Sequence, residues 1–157
     1  MASNNRRIGR ECALKILFAL RLDEDADATD LLAEFWKNFR FADDALGEPL
    51  ETTAVPLPTA ARMFAEALVT GVVEYRAVID RTIREVAQNW SLRRMASVDL
   101  SILRICTYEL LYQPDIPTRV ALNEAIEIAK RYGSKESPSF VNGLLDKIAQ
   151  NARRAND

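Results

Sequence analysis

A chain of 157 residues with 48% apolar side chains is long enough to build one ordinary domain around a single core. The 21 basic and 23 acidic side chains nearly cancel to a net charge of −2, which excludes a disordered or a wholly basic chain. Because the sequence contains no histidine, it also excludes serine-histidine-aspartate triads, cysteine-histidine dyads and histidine-ligated metal sites. We therefore expect a soluble globular protein, with a single domain over residues 1–157.

The spacing of apolar residues is helical nearly throughout the chain and predicts an all-α fold without strands. Six main helical segments are expected, in chain order, at about residues 4–22, 28–41, 59–88, 97–113, 117–132 and 138–152. Residues 42–57 contain two prolines and a glycine and are expected to form an irregular acidic loop. Pro117 is expected in the first turn of a helix, Ser137 as an N-cap, and Gly133 at a C′ position.

The first predicted helix has an apolar face and a basic face. Residues 1–21 hold five basic side chains and one acidic one, whereas residues 22–66 hold 11 acidic and three basic ones. At 100° per residue, the face opposite the apolar arc carries Arg7, Arg10, Leu14, Lys15, Phe18 and Arg21. Single-stranded nucleic acids bind to such a combination, because cations contact phosphates while an aromatic ring stacks on a base. The alternative is a solvated basic face on which Phe18 is covered by a neighbouring part of the chain.

The segment at 97–113 is apolar around its whole axis, which predicts a central helix buried on most sides. Its charged residues are Asp99, Arg104 and Glu109, and buried charges require partners. In one interpretation these residues form internal ion pairs and hydrogen bonds. In the other, part of the helix is a protein interface, where Asp99 and Arg104 await charges on a partner while Glu109 is structural.

The segment at 133–137 joins the last two predicted helices. Free backbone amides at the start of a helix can bind a phosphate, and the alternative is a capped surface turn. Trp36 and Trp90 are interpreted as anchors of helix packing.

The remaining features concern redox state, membranes and cofactors. Cys12 and Cys106 form no CxxC pair, which predicts buried thiols in a reducing cytoplasm. No apolar run approaches the roughly 20 residues that span a membrane. The five glycines form no nucleotide-binding motif, so we expect no cofactor and no metal.

Several ordered runs of the sequence resemble the NusB family of bacterial transcription antitermination factors. They are RR at 6–7, RECA at 10–13, ILRI at 102–105, YEL at 108–110, DIP at 115–117, VALNEAIEIAK at 120–130 and FVNGLLD at 140–146. The resemblance implies about six to seven helices in two packed small bundles. It also implies a non-enzymatic role: binding boxA RNA with NusE, a ribosomal protein that doubles as a transcription factor. That complex joins RNA polymerase during transcription of ribosomal RNA.

The resemblance also implies which residues bind. The family's RNA surface maps onto Arg6, Arg7, Arg10, Phe18, Lys135 and Glu136. Lys15 joins this set through its place on the basic face of the first helix. The family's NusE-facing surface maps onto Asp99 and Arg104.

Two departures from the family pattern leave other functions open. Phe18 stands where the family often has tyrosine, which keeps stacking but loses a hydroxyl, and the loop at 42–57 looks longer than usual. One alternative function is an accessory RNA-binding module like those fused to ribosomal RNA cytosine methyltransferases. Another is a homodimeric interaction protein whose basic face is hidden in the dimer.

Overall fold

The chain folds into helices, as its apolar periodicity predicts. A computed structural model describes residues 2–19, 27–38, 57–88 and 90–156. These ranges contain no strand, one 3-10 turn (Leu92–Arg94) and seven α-helices: α1 (Ala2–Ala19), α2 (Ala28–Asn38), α3 (Thr59–Glu74), α4 (Arg76–Val86), α5 (Ser97–Tyr112), α6 (Thr118–Tyr132) and α7 (Ser137–Asn156). The all-α prediction is confirmed. The predicted acidic loop at 42–57 lies outside the described residues except for Leu57.

The helices form two compact units, Met1–Glu74 (unit 1) and Tyr75–Asp157 (unit 2). In unit 1, α1 packs along α3, and the two helices approach each other closely at Gly9. A Cβ atom added to Gly9 would lie 2.8 Å from Cδ1 of Phe64 and 2.9 Å from the carbonyl oxygen of Ala61. Real Cβ atoms do not tolerate such distances, so the crossing requires glycine.

Helix α2 completes unit 1. Its first turn is capped by Asp27, whose Oδ1 accepts a hydrogen bond of 3.1 Å from the backbone N–H of Asp30. On its other side α2 faces α3, where the guanidinium of Arg62 lies 4.5 Å from the centre of the Trp36 ring. Trp36 therefore anchors helix packing, as the sequence predicts.

Helix α5 is the centre of unit 2 and packs against α4, α6 and α7. Buried side chains surround its axis: Ile102, Leu103, Ile105, Cys106, Thr107 and Tyr108. The prediction of a central buried helix is confirmed. Both cysteines of the chain are buried thiols outside any disulfide, Cys12 in unit 1 and Cys106 in unit 2, also as predicted.

The single long helix predicted at 59–88 is wrong, because the chain breaks at Tyr75. The backbone of Tyr75 (φ −103°, ψ 19°) leaves the helical region, while its carbonyl accepts the first hydrogen bond of α4 from Ile79 at 2.9 Å. Its ring stacks on Tyr112 of α5 at a centroid distance of 4.0 Å. The apolar stripe continues on both sides of this break, so periodicity gives no sign of it.

The predicted caps between α6 and α7 are also wrong. Helix α7 begins at Ser137, and the carbonyl before it, that of Glu136, accepts the hydrogen bond from Phe140 at 3.1 Å. The buried hydroxyl of Ser137 instead accepts a hydrogen bond of 2.9 Å from the N–H of Ser134. Gly133 is the C-cap of α6 with extended backbone (φ −92°, ψ −173°), not a left-handed C′ residue.

Replacing glycine by alanine at two helical positions, 9 and 143, should change the free energy of unfolding in opposite directions. Gly9→Ala should lower the free energy of unfolding by about 1–2 kcal/mol, because the new methyl group overlaps Phe64 and Ala61. Gly143→Ala should raise it by about 0.5–1 kcal/mol, since a Cβ there meets no atom within 4 Å and alanine favours the helix. Urea denaturation of both variants measures this, and equal shifts of one sign would contradict the packing at Gly9.

Candidate nucleic-acid interface

The basic face predicted for α1 is exposed only in part. Arg6, Arg7 and Phe18 are exposed, so cations at the start of the helix and an aromatic ring near its end meet solvent. Arg10 is only 3% exposed and Lys15 is buried as well. The predicted exposure of these two cations is therefore wrong. Phe18 lies eleven positions after Arg7 on the helix, a distance of about 16 Å along the axis.

Phe64 of α3 contacts two of the arginines of α1. The guanidinium carbon of Arg10 lies 5.3 Å from the centre of the Phe64 ring, and that of Arg6 lies 5.9 Å from it. Gly9, between them, lets α3 approach closely enough for the ring to reach both side chains. Cation-π contacts of this kind hold a guanidinium in place while its charge remains available. Phe64 thus orients the arginines of α1, and sequence reasoning missed this role because the two helices are far apart in the chain.

Lys135 and Glu136 lie on unit 2, in the exposed turn between α6 and α7. Hydrogen bonds between Ser134 and Ser137 fix this turn: Ser134 N–H to Ser137 Oγ at 2.9 Å and Ser137 N–H to Ser134 carbonyl at 3.1 Å. Gly133 precedes it, and a Cβ there would lie 2.5 Å from the Ser137 side chain. The turn is therefore a rigid surface feature that presents one cation and one carboxylate side by side.

The two residues predicted to contact a protein partner differ in their surroundings. Arg104 donates two hydrogen bonds to the carboxylate of Asp80 on α4, Nε to Oδ1 at 2.9 Å and Nη2 to Oδ2 at 3.0 Å. The expectation that Arg104 awaits a partner's charge is wrong, because this internal ion pair satisfies it. The buried Glu109 is placed as the sequence suggests for a structural residue.

The surroundings of Asp99, in contrast, fit the prediction that it contacts a partner protein. It lies in the first turn of α5, is 8% exposed, and its Oδ1 accepts no hydrogen bond from any described residue. A buried carboxylate oxygen without a donor is costly, since it has lost water without gaining a replacement. A donor from outside the chain would remove that cost.

Trp90 was expected to anchor helix packing; its ring does contact Phe140 of α7, but much of the side chain is not buried. Its side chain is 54% exposed in the connection between α4 and α5. Helical periodicity gives no orientation for a residue that lies between helices, so the sequence did not reveal its exposure.

The described ranges hold no cluster of three or more histidine, cysteine or acidic side chains that could bind a metal ion. None of the helices in them has the length and apolar character needed to cross a membrane.

The family model and the relatives that match this sequence all point to one protein family. A family model described as the NusB family matches residues 7–150. The transcription antitermination protein NusB of Syntrophotalea carbinolica is 55% identical over 153 residues, which cover 98% of this chain and 97% of that protein. The protein of the same name from Geobacter sulfurreducens is 45% identical over 144 residues, covering 92% of this chain and 93% of that protein.

Solved structures show the same fold. NusB of T. maritima matches with a TM-score of 0.71 at 38% identity, and the match covers 92% of this chain and 90% of that one. A chain in the crystal structure of a plectonemic RNA supercoil also matches with a TM-score of 0.71, at 22% identity, over 94% of this chain and 95% of that one. At that identity the second match supports the fold alone.

Proposed function

The chain belongs to the NusB family, and on this premise we propose that it is a transcription antitermination factor that binds boxA-type single-stranded RNA. In this proposal it acts together with NusE, within the RNA polymerase complex that transcribes ribosomal RNA operons. Its role is binding and not catalysis. Buried thiols outside any disulfide fit a reducing compartment, which supports the proposal that this role is in the cytoplasm.

The observation that carries the proposal is the exposed part of α1. Arg6 and Arg7 present two guanidinium groups at the start of the helix, and Phe18 presents an aromatic ring about 16 Å further along. Arginines bind phosphate oxygens through charge-assisted hydrogen bonds, and an exposed ring stacks on an unpaired base. Arg10 takes a supporting role, since its side chain is buried and lies against Phe64.

On unit 2, Lys135 and Glu136 are proposed as further RNA contacts. The ammonium group of Lys135 can meet a phosphate, while the Glu136 carboxylate can accept hydrogen bonds from base amino groups. Their turn is already fixed by the Ser134–Ser137 hydrogen bonds, so binding would order little of the backbone. Lys15 is buried, which leaves it the weakest of the proposed RNA contacts.

The experiment that tests this function is fluorescence anisotropy of a labelled boxA-like RNA titrated with the protein, with and without NusE. A scrambled RNA of the same composition serves as the control. We expect selective binding that NusE strengthens. We also expect the logarithm of affinity to fall with the logarithm of salt concentration, and phosphate contacts by Arg6, Arg7 and Lys135 to a single strand contribute about −2 to that slope. Equal weak binding of both RNAs, unaffected by NusE, would overturn the proposal.

Asp99 is proposed as a NusE contact on α5. Asp99→Asn should weaken NusE binding about tenfold, because the amide cannot offer the charged acceptor that a donor on the partner requires. The same change should leave the melting temperature unchanged or slightly raised, since a neutral buried group costs less than an unsatisfied carboxylate. Titration calorimetry with NusE measures the first effect. Asp115→Asn, a change at an exposed aspartate in the turn after α5, is the control. Unaltered NusE affinity of the Asp99 variant would refute this contact.

A further inference from the structure

Trp90 is a large aromatic side chain that the fold leaves in water. It lies between α4 and α5 and is 54% exposed, although burying a ring of this size is among the larger gains available to a folding chain. Its position is nevertheless fixed. The backbone N–H of Trp90 donates a hydrogen bond of 3.0 Å to the carbonyl of Ala87. The indole packs edge-to-face with Phe140 of α7, with ring centroids 5.9 Å apart and an interplanar angle of 74°. The ring is thus held on one side and open on another.

Two arginines follow this ring within four residues. Arg93 and Arg94 are both exposed, and neither forms an ion pair or a hydrogen bond through its guanidinium with another described residue. The 3-10 turn that carries them is fixed by hydrogen bonds from the N–H of Arg94 to Ser91 at 3.0 Å and from that of Met95 to Leu92 at 3.2 Å. The side chain of Met95 is buried and anchors the turn in unit 2. We call residues 90–94 the tryptophan turn.

The sequence around the tryptophan turn is locally basic. Between Glu85 and Asp99 the sequence contains two arginines and no acidic residue. A rigid, exposed indole beside two available guanidinium groups is the arrangement that single-stranded nucleic acid uses, with the ring for a base and the cations for adjacent phosphates. Tryptophan and arginine are also common in protein interfaces. The two exposed arginines of the turn favour a polyanion here.

We propose that the tryptophan turn is a second RNA-binding site of this protein, in which Trp90 stacks on an unpaired base and Arg93 and Arg94 bind the flanking phosphates. This proposal rests on the proposed function, because it adds a site to the RNA contacts proposed for α1 and for the turn at Lys135 and Glu136. Phe140 acts as a positioning residue, since it sets the orientation of the indole. The ligand is single-stranded RNA. The site binds it through base stacking and phosphate contacts, and not through hydrogen bonds to base edges.

Tryptophan fluorescence tests the stacking directly. In a Trp36→Phe variant the only remaining indole is that of Trp90, and we expect boxA-like RNA to quench its emission with saturable binding. In a Trp90→Phe variant, which retains Trp36, the same RNA should leave the emission unchanged. An unquenched Trp90 in protein that has bound RNA, as shown by anisotropy, would overturn the proposal.

Affinity measurements test how much the tryptophan turn contributes to RNA binding. Trp90→Leu should weaken RNA binding about 5- to 100-fold, whereas Trp90→Phe, which keeps a ring, should recover most of that loss. Arg93→Gln with Arg94→Gln should make the salt slope shallower by about 1.4, as expected for two lost contacts to a single strand. Arg153→Gln with Arg154→Gln, at exposed arginines near the end of α7, is the control of equal charge change.

The outcomes separate this site from the proposed function. If the Trp90→Leu variant keeps its fold by circular dichroism and binds RNA as tightly as the parent protein, the tryptophan turn is not an RNA site, while the function proposed for α1 stands. If that variant instead loses only NusE binding, the turn is a protein interface and the proposal is wrong. If the parent protein binds no RNA, the proposed function and this site fail together.

Discussion

Arg104→Ala should lower the free energy of unfolding by roughly 3 kcal/mol, a loss that corresponds to a fall in melting temperature of about 6–12 °C. The reason is the ion pair between α5 and α4, in which Arg104 donates two hydrogen bonds to Asp80. The side chains of the pair are only 14% and 11% exposed. Removing the guanidinium leaves a nearly buried carboxylate without its partner, which costs more than the pair contributes when intact.

A second ion pair of the same chain supplies the control. Lys130 and Glu127 lie 3.2 Å apart on α6, with side chains 59% and 57% exposed. Because water solvates both ends of such a pair, Lys130→Ala should cost less than about 1 kcal/mol. Thermal and urea denaturation of the two variants, followed by circular dichroism, measure the difference. If Arg104→Ala is no more destabilising than Lys130→Ala, then the bidentate pair is not a structural element and Arg104 is again a candidate for partner binding.

Replacing both Arg6 and Arg7 by alanine should weaken the binding of boxA-like RNA about 100-fold at low salt while leaving the melting temperature within about 2 °C. Both side chains are exposed at the start of α1, where they add little to the core. Each lost phosphate contact removes one charge-assisted hydrogen bond and about 0.7 from the magnitude of the salt slope. Anisotropy titrations at several salt concentrations give both quantities.

Arg10→Ala is a different experiment from the double change at Arg6 and Arg7. Because Arg10 is buried and lies against Phe64, its removal should lower stability and reduce RNA binding indirectly. The control for the double variant is therefore Arg153→Ala with Arg154→Ala, which changes the net charge equally at exposed positions of α7. If the two double variants lose equal RNA affinity, then RNA binding depends only on net charge and not on the arginines at the start of α1.

Much of the fold follows from the sequence, because helix formation depends on local periodicity. The central helix α5 was predicted from apolar residues around its whole axis, and the structure confirms it. The break at Tyr75 was not predictable in this way, since the stacking that accompanies it joins Tyr75 to Tyr112, a residue 37 positions later. The placement of Ser137 failed for a related reason, as its hydroxyl bonds to Ser134 in a turn whose geometry the sequence pattern does not specify.

The candidate site was predictable in residue type but not in exposure. An arginine-rich start and an aromatic residue on α1 were visible as a pattern, and Arg7 and Phe18 are exposed as that pattern requires. Arg10 is buried and lies against Phe64 of another helix, which approaches closely at Gly9. The pairing of Arg104 with Asp80 spans 24 residues, so no local rule reveals it. Tertiary contacts thus decide which of the predicted cations face solvent.

Transcription in vitro tests the central claim most directly. The template carries a ribosomal RNA leader with a boxA sequence ahead of a terminator, and RNA polymerase transcribes it with NusE and the other elongation factors present. We predict that adding this protein raises the fraction of transcripts that pass the terminator, and that scrambling boxA or replacing Arg6 and Arg7 by alanine abolishes the increase. Readthrough that is unchanged by the protein, or that rises equally on the scrambled template, would contradict the account.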